Sequence, residues 1–316
     1  MSFSPFSILH FPLNLLTLRL VNKSTMVNLQ GMGVALITPF KADGSVDYDA
    51  LSQLVDFQLN NDIDYMVVLG TTAETPTLTE DEKEKIKKLV IEKIAGRIPV
   101  VLGLGGNNTM ALVEKLKTDN FKGVDAILSV VPYYNKPSQE GIYQHYAALA
   151  AASPVPIVLY NVPGRTGTNM TGETTLRLAK DFKNIIAIKE ASGNMPQIEY
   201  IMKNKPKDFL VISGDDGIAF PLITQGASGV ISVIGNAFPK EFSRMVRLAL
   251  AGDYDNARSI HHKFTELFDL LFVDGNPAGV KSMLNAMGMI ENKLRLPLVP
   301  TRITTYQKIS QVLNEL

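Results

Sequence analysis

The feature that most constrains this chain is an alternation repeated eight times, a short apolar run followed by a helix-like segment. The runs are Val34–Thr38, Tyr65–Leu69, Pro99–Leu102, Ala126–Val130, Ile157–Tyr160, Ile185–Lys189, Phe209–Ser213 and Gly229–Val233. They are rich in Val and Ile and apolar throughout rather than at every second residue. That pattern belongs to strands of a parallel sheet covered on both faces. The segments between them carry helix-start signals. Thr79-Glu80-Asp81-Glu82 is a capping box that opens a helix reaching about Ala95. Ser138, Thr171 and the cluster Asn107-Asn108-Thr109 are further N-cap candidates. Eight such units predict an α/β fold, a (β/α)8 TIM barrel, whose usual length is about 250 residues. An open doubly wound sheet is the competing arrangement, disfavoured by the regular spacing and by the lack of a distinct second lobe.

Past residue 252 the patterns are helical only, at Tyr254–Phe272, Ala278–Met289 and Thr301–Asn314, with Pro297 and Pro300 marking the last connection. The division expected is therefore a barrel over 26–252 and a C-terminal helical extension over 253–316. The first 25 residues fit neither. Met1 to Arg19 is apolar, but a basic start and a small-residue cleavage site are missing, and Pro12 and Asn14 interrupt the run. It is also too short to span a bilayer. Residues 1–25 read as an upstream extension with little fold of its own, and Met26 as the functional start.

Composition excludes several classes. Lysines and arginines balance aspartates and glutamates at 31 each, so no basic stripe suited to duplex nucleic acid is expected. The Lys-rich stretch Lys83–Lys88 interleaves with Glu82, Glu84 and Glu92 at helical spacing and reads as a solvated helix face. The sequence has no cysteine, which rules out disulfides, thiol nucleophiles and thiolate metal sites and fits a reducing cytoplasm. No histidine lies in a strand-end segment, so no metal is expected.

In a (β/α)8 barrel the chemistry sits where the strands end. The unusual residues of this chain fall there. Strand two leads into Gly70-Thr71-Thr72-Ala73-Glu74-Thr75, strand four into Pro132-Tyr133-Tyr134-Asn135-Lys136-Pro137, and strand five into Tyr160-Asn161-Val162-Pro163-Gly164-Arg165-Thr166-Gly167. Strand six ends at Lys189, strand seven at Gly214-Asp215-Asp216, and strand eight at Ile231 to Asn236. A lysine closing an apolar strand carries its amine from the sheet into whatever site the strand tip faces. Desolvation of such an amine favours its neutral, nucleophilic form. Lysines also close strands simply by snorkelling to water. Gly103-Leu104-Gly105-Gly106 after strand three has the look of a phosphate loop but lacks its Gly-Lys-Ser/Thr ending, and reads as a tight turn.

Taken together, GTTAE at Gly70–Glu74, PYYNKPSQEG at Pro132–Gly141, YNVPGRTG at Tyr160–Gly167, IKEASGN at Ile188–Asn194 and SGDD at Ser213–Asp216 resemble the pyruvate-dependent class I aldolases. Within that superfamily, which includes the N-acetylneuraminate lyases, the likeness is to the dihydrodipicolinate synthase family and covers about Gly31 to Leu298. The resemblance implies a lyase that joins pyruvate to L-aspartate-4-semialdehyde, giving 4-hydroxy-tetrahydrodipicolinate for lysine and diaminopimelate biosynthesis. It implies that Lys189 forms a Schiff base with pyruvate, served by a proton relay of Tyr160, Thr71 and Tyr134, with Tyr134 supplied by a neighbouring subunit. Thr72 would bind the pyruvate carboxylate, Arg165 the semialdehyde carboxylate, and Gly214 and Ile231 would line the pocket. No cofactor, membrane or nucleic acid is implied, and the assembly would be a homotetramer, a dimer of dimers.

The chain also departs from the family. Many bacterial members are inhibited by lysine at a site with two histidines and a glutamate. Glu80 and Lys83 stand at the histidine positions and Ala111 at the glutamate, while Asn107 and Tyr133 match. Weak or absent feedback by lysine is the expectation. Two rival readings remain, a pyruvate aldolase acting on a sugar acid or another aldehyde, and a non-catalytic small-molecule binder. Arg165 speaks against the first, and retention of the whole relay against the second.

Overall fold

The computed structural model describes residues 27–316; the expectation for residues 1–25 lies outside them. Eight parallel strands close on themselves in sequence order: β1 (Gly31–Ala35), β2 (Tyr65–Val68), β3 (Val100–Gly103), β4 (Ala126–Val130), β5 (Ile157–Asn161), β6 (Ile185–Glu190), β7 (Leu210–Ser213) and β8 (Gly229–Ser232). The circle closes through β1 and β8, registered from Gly31↔Gly229 to Val34↔Ser232. This is the TIM barrel expected from the alternation.

Side-chain alternation splits the apolar residues into two layers. One fills the barrel interior, with Ala35, Tyr65, Val67, Val101, Leu128, Val158, Tyr160, Ala187, Ile212 and Ile231. The other lies between barrel and helices and takes the opposite parity, such as Val34, Met66, Leu159 and Ile188. Both faces of every strand are thus covered, which is why the strands read as unbroken apolar runs.

The first strand lies three residues upstream of the expected Val34–Thr38. Its glycines hid it. Gly33 pairs with Tyr65, and a Cβ at Gly33 would sit 2.1 Å from the Tyr65 ring. A Cβ at Gly229 would stand 1.9 Å from the carbonyl oxygen of Gly31. Glycine is needed here for close approach between backbone and ring, a cause that propensity does not reveal.

The helices are α1 (Tyr48–Leu59), α2 (Glu80–Ile94), α3 (Thr109–Thr118), α4 (Gln139–Ala152), the single turn α5 (Pro163–Thr166), α6 (Gly172–Asp181), α7 (Met195–Asn204), α8 (Ala219–Thr224) and α9 (Pro239–Leu250). The caps read from sequence are present. Thr79 Oγ1 accepts from the Glu82 amide at 3.2 Å while Glu82 Oε2 accepts from the Thr79 amide at 2.9 Å. Ser138, Thr171 and, within its cluster, Asn108 cap their helices.

Four further helices follow: α10 (Tyr254–Lys263), α11 (Thr265–Leu270), α12 (Ala278–Ala286) and α13 (Ile303–Glu315). The run Tyr254–Phe272 therefore makes two helices, not one. The break falls at Phe264, whose buried ring packs 5.1 Å from Phe238 and 6.1 Å from Phe242, so tertiary packing outweighs helical continuity. Among the described residues no helix is long and apolar enough to cross a membrane.

Candidate active site

Lys189 lies in β6 with the parity of Ala187, so its side chain enters the barrel interior. It is 6 % exposed, and its Nζ stands 4.5 Å from the centroid of the Tyr160 ring. Tyr160 is its register partner on β5 and is also buried. Ile212 flanks Lys189 on β7, and Ile231 joins the same interior layer from β8. Gly214 makes room for the lysine: a Cβ there would lie 3.0 Å from Lys189 Cε and 2.6 Å from Ala191 Cβ. Among the described residues Lys189 has no carboxylate partner.

Thr71 and Thr72 belong to a tight helical turn, Thr71–Ala73, that follows β2. The turn is pinned at both ends. Thr38 Oγ1 donates to the Ala73 carbonyl at 2.9 Å, and Thr75 Oγ1 to the Gly70 carbonyl at 2.8 Å. Glu74 ends it in the left-handed region, φ 54°, fully buried. Arg165, in α5, is exposed and directs Nη2 to the main-chain carbonyl of Asn276 at 3.5 Å.

A cavity of about 530 Å3 opens over these loops. Thr71, Tyr133, Tyr160, Arg165 and Asn276 are on its walls. Tyr134 is elsewhere: its side chain is 87 % exposed, on a backbone held at φ 76°, outside the cavity walls. Within one subunit the cavity walls bring Thr71, Tyr160 and Arg165 together, Lys189 lies against the Tyr160 ring off those walls, and Tyr134 stands apart.

Three features were not anticipated from sequence. Glu74 accepts from Lys281 of α12 at 2.5 Å, with both side chains fully buried, and from the Arg295 amide at 3.0 Å. Burial pushes the Lys281 ammonium below its usual range against the pull of the Glu74 charge. Asn276 donates through Nδ2 to Thr72 Oγ1 at 3.1 Å. Glu190, next to the lysine but with opposite parity, is buried outside the barrel wall. Burial raises its carboxyl, and bonds from Asn161, Ser192 and Gln197 oppose that rise. The available signals were the Glu ending the paired-threonine segment and the isolated Asn-Pro in the helical tail.

On the outer side of the cavity Glu80 bridges Lys83 at 2.7 Å and Lys115 at 2.6 Å. These bonds hold its carboxyl down to about 2. Gly103 and Gly105 are packing glycines: a Cβ at Gly103 would lie 2.2 Å from the Leu69 oxygen, and one at Gly105 2.8 Å from Val130 Cγ1. Among the described residues no three His, Asp or Glu side chains converge as a metal site would require.

A parallel barrel with an interior lysine beside a tyrosine, under a cavity walled by threonine and arginine, defines a lyase-type (β/α)8 enzyme. The chain belongs to the dihydrodipicolinate synthetase family, whose model matches residues 28–316. It is 75 % identical over 290 residues to the 4-hydroxy-tetrahydrodipicolinate synthase of Parabacteroides distasonis, spanning 92 % of this chain and 98 % of that one. Its fold is similar to that of dihydrodipicolinate synthase from Thermotoga maritima, with TM-score 0.88, 43 % identity and coverage of 92 % and 98 % of the two chains. It is also similar to the Acinetobacter baumannii enzyme crystallised with pyruvate, with TM-score 0.88, 39 % identity and coverage of 91 % and 99 %.

Proposed function

We propose that this chain condenses pyruvate with L-aspartate-4-semialdehyde through a Schiff base on Lys189, releasing 4-hydroxy-tetrahydrodipicolinate and water. The observation that carries this reading is the Lys189 amine, sunk in an apolar barrel against the Tyr160 ring with no carboxylate to hold it. Pyruvate supplies an electrophilic keto carbon for that amine. Nζ adds to it, the carbonyl oxygen leaves as water, and the resulting iminium acidifies the methyl group. Loss of a methyl proton gives an enamine, whose carbon attacks the aldehyde. The semialdehyde's own amine then adds to the iminium carbon and displaces Lys189, closing the ring. Tyr160 and Thr71 are hydroxyl groups that both give and take protons, as this sequence of transfers needs. Arg165 suits the second carboxylate, since its fork pairs two oxygens at once. Thr72 binds the carboxylate of pyruvate, and Gly214 and Ile231 shape the pocket around the lysine.

Tyr134 completes the relay across a subunit boundary in this reading. Its 87 % exposure on a left-handed backbone supports a role outside its own barrel. At least a dimer is required, and a homotetramer is proposed, acting in the cytoplasm. Ala111, together with the bridge that ties Glu80 to Lys83 and Lys115, supports weak feedback by lysine; half-maximal inhibition at sub-millimolar lysine would overturn that part.

The decisive experiment is incubation with pyruvate, reduction with borohydride and mapping of the modified peptide. An adduct on Lys189 is the expected result, and its absence ends the mechanism. An adduct without turnover of aspartate semialdehyde would move the second substrate to another aldehyde.

A further inference from the structure

Asn276 sits on the cavity wall between the two carboxylate-binding residues of the reading above, although it comes from the tail of the chain, just before α12. Its side chain is 7 % exposed. Nδ2 donates to Thr72 Oγ1 at 3.1 Å, while its main-chain carbonyl accepts from Arg165 at 3.5 Å. Its Oδ1 is buried without a partner. A buried amide oxygen left empty is costly, and Thr72 has a hydroxyl proton within reach of the same amide. The arrangement leaves that proton uncommitted.

We propose that Asn276 is a positioning residue that sets the polarity of the Thr72 hydroxyl. A hydroxyl has one proton to give and two lone pairs to receive with. When Nδ2 occupies a lone pair, the Thr72 proton points away from the amide and is offered to the pyruvate carboxylate. With the amide reversed, the proton would go to Oδ1 and Thr72 would turn lone pairs toward an anion. The contact to Arg165 comes from the backbone, so a change of the Asn276 side chain leaves the semialdehyde side of the pocket supported. Side chain and main chain of one residue thereby serve different substrates.

This inference rests on the proposed function, and its test separates the two. Half-saturating pyruvate is read from borohydride trapping, and the Michaelis constants of both substrates from turnover. In Asn276→Ala half-saturating pyruvate rises about five- to tenfold, the size of one ordinary hydrogen bond, while the semialdehyde constant stays within about twofold. Asn276→Asp, which cannot donate, raises it further. In a Thr72→Val background Asn276→Ala adds nothing, because the hydroxyl it orients is gone. Trapping by Asn276→Asp at wild-type pyruvate would mean that Thr72 donates to the amide, and would overturn the proposal. Equal losses for both substrates together with a lower melting temperature would also overturn it, by making Asn276 purely structural. Failure of the wild-type protein to trap pyruvate at all would remove the functional reading itself.

Discussion

Lys189 and Lys281 are both buried lysines, and the chain treats them in opposite ways. Lys281 is met by Glu74 at 2.5 Å, by the Lys293 carbonyl at 3.0 Å and by the Phe40 ring at 4.2 Å. Lys189 has the Tyr160 ring, and an opening cleared by Gly214. A buried ammonium with a full set of partners is held in its charged form and does structural work. An amine buried without a carboxylate stays available for a bond that the substrate supplies. Burial alone therefore does not distinguish a reactive lysine from a structural one; the partners do.

The same replacement at both positions tests this contrast most severely. Lys189→Met is expected to abolish pyruvate trapping and turnover while leaving thermal stability unchanged or raised, since it removes an unpaired polar group. Lys281→Met leaves Glu74 buried and unpaired, at a cost of about 3–5 kcal/mol, and Glu74→Gln added to it recovers much of the loss. Equal losses of stability in the two variants, measured by denaturant unfolding, would erase the distinction.

Asp216 extends the comparison to an acid. It is buried and accepts the amides of Val233 and Ile234 at 2.9 and 2.8 Å, with no cation facing it among the described residues, and burial raises it to about 6 from 3.8. A raised folded pKa means that its contribution is full below pH 4 and is lost as pH climbs through 6. The difference is about 3 kcal/mol. Asp216→Asn should be more stable than the parent at pH 8 and equal to it below pH 4, as read from melting temperatures across that range.

Space around Lys189 can be tested without touching its charge. Gly214→Ala places a methyl against Cε, and a displacement of the amine by about 1 Å is expected to lower turnover about 100-fold with the fold retained. Wild-type turnover in that variant would show that Gly214 does not aim the lysine. Arg165→Ala removes an exposed cation rather than a buried one. It is expected to raise the semialdehyde Michaelis constant about thirtyfold, one charged hydrogen-bonded contact, and to leave pyruvate trapping intact. A loss of pyruvate trapping instead would assign Arg165 to the first substrate.

What could be read from sequence was what depends on neighbours along the chain. Seven strands and the caps of α2, α3, α4 and α6 follow from local patterns of apolar residues and hydroxyl or amide side chains. Lys189, Tyr160 and the threonine turn were legible because strand parity and strand ends fix where such residues point. The misplacement of β1 came from glycines whose reason is Tyr65, 32 residues away in the register. The roles of Lys281 and Asn276 escaped notice because their partners lie 207 and 204 residues upstream, and even the isolated Asn-Pro carries nothing that points to a distant turn.

That separation has a consequence for synthesis. All eight strands are complete by Ser232, so every residue of the barrel wall is made before the tail. The threonine turn would then end in a glutamate awaiting Lys281 and Arg295, more than 200 residues after it was made. A chain ended after the barrel would carry Glu74 without the Lys281 ammonium and the Arg295 amide that hold it. The turn that follows β2 is therefore finished only by residues from the far end of the chain.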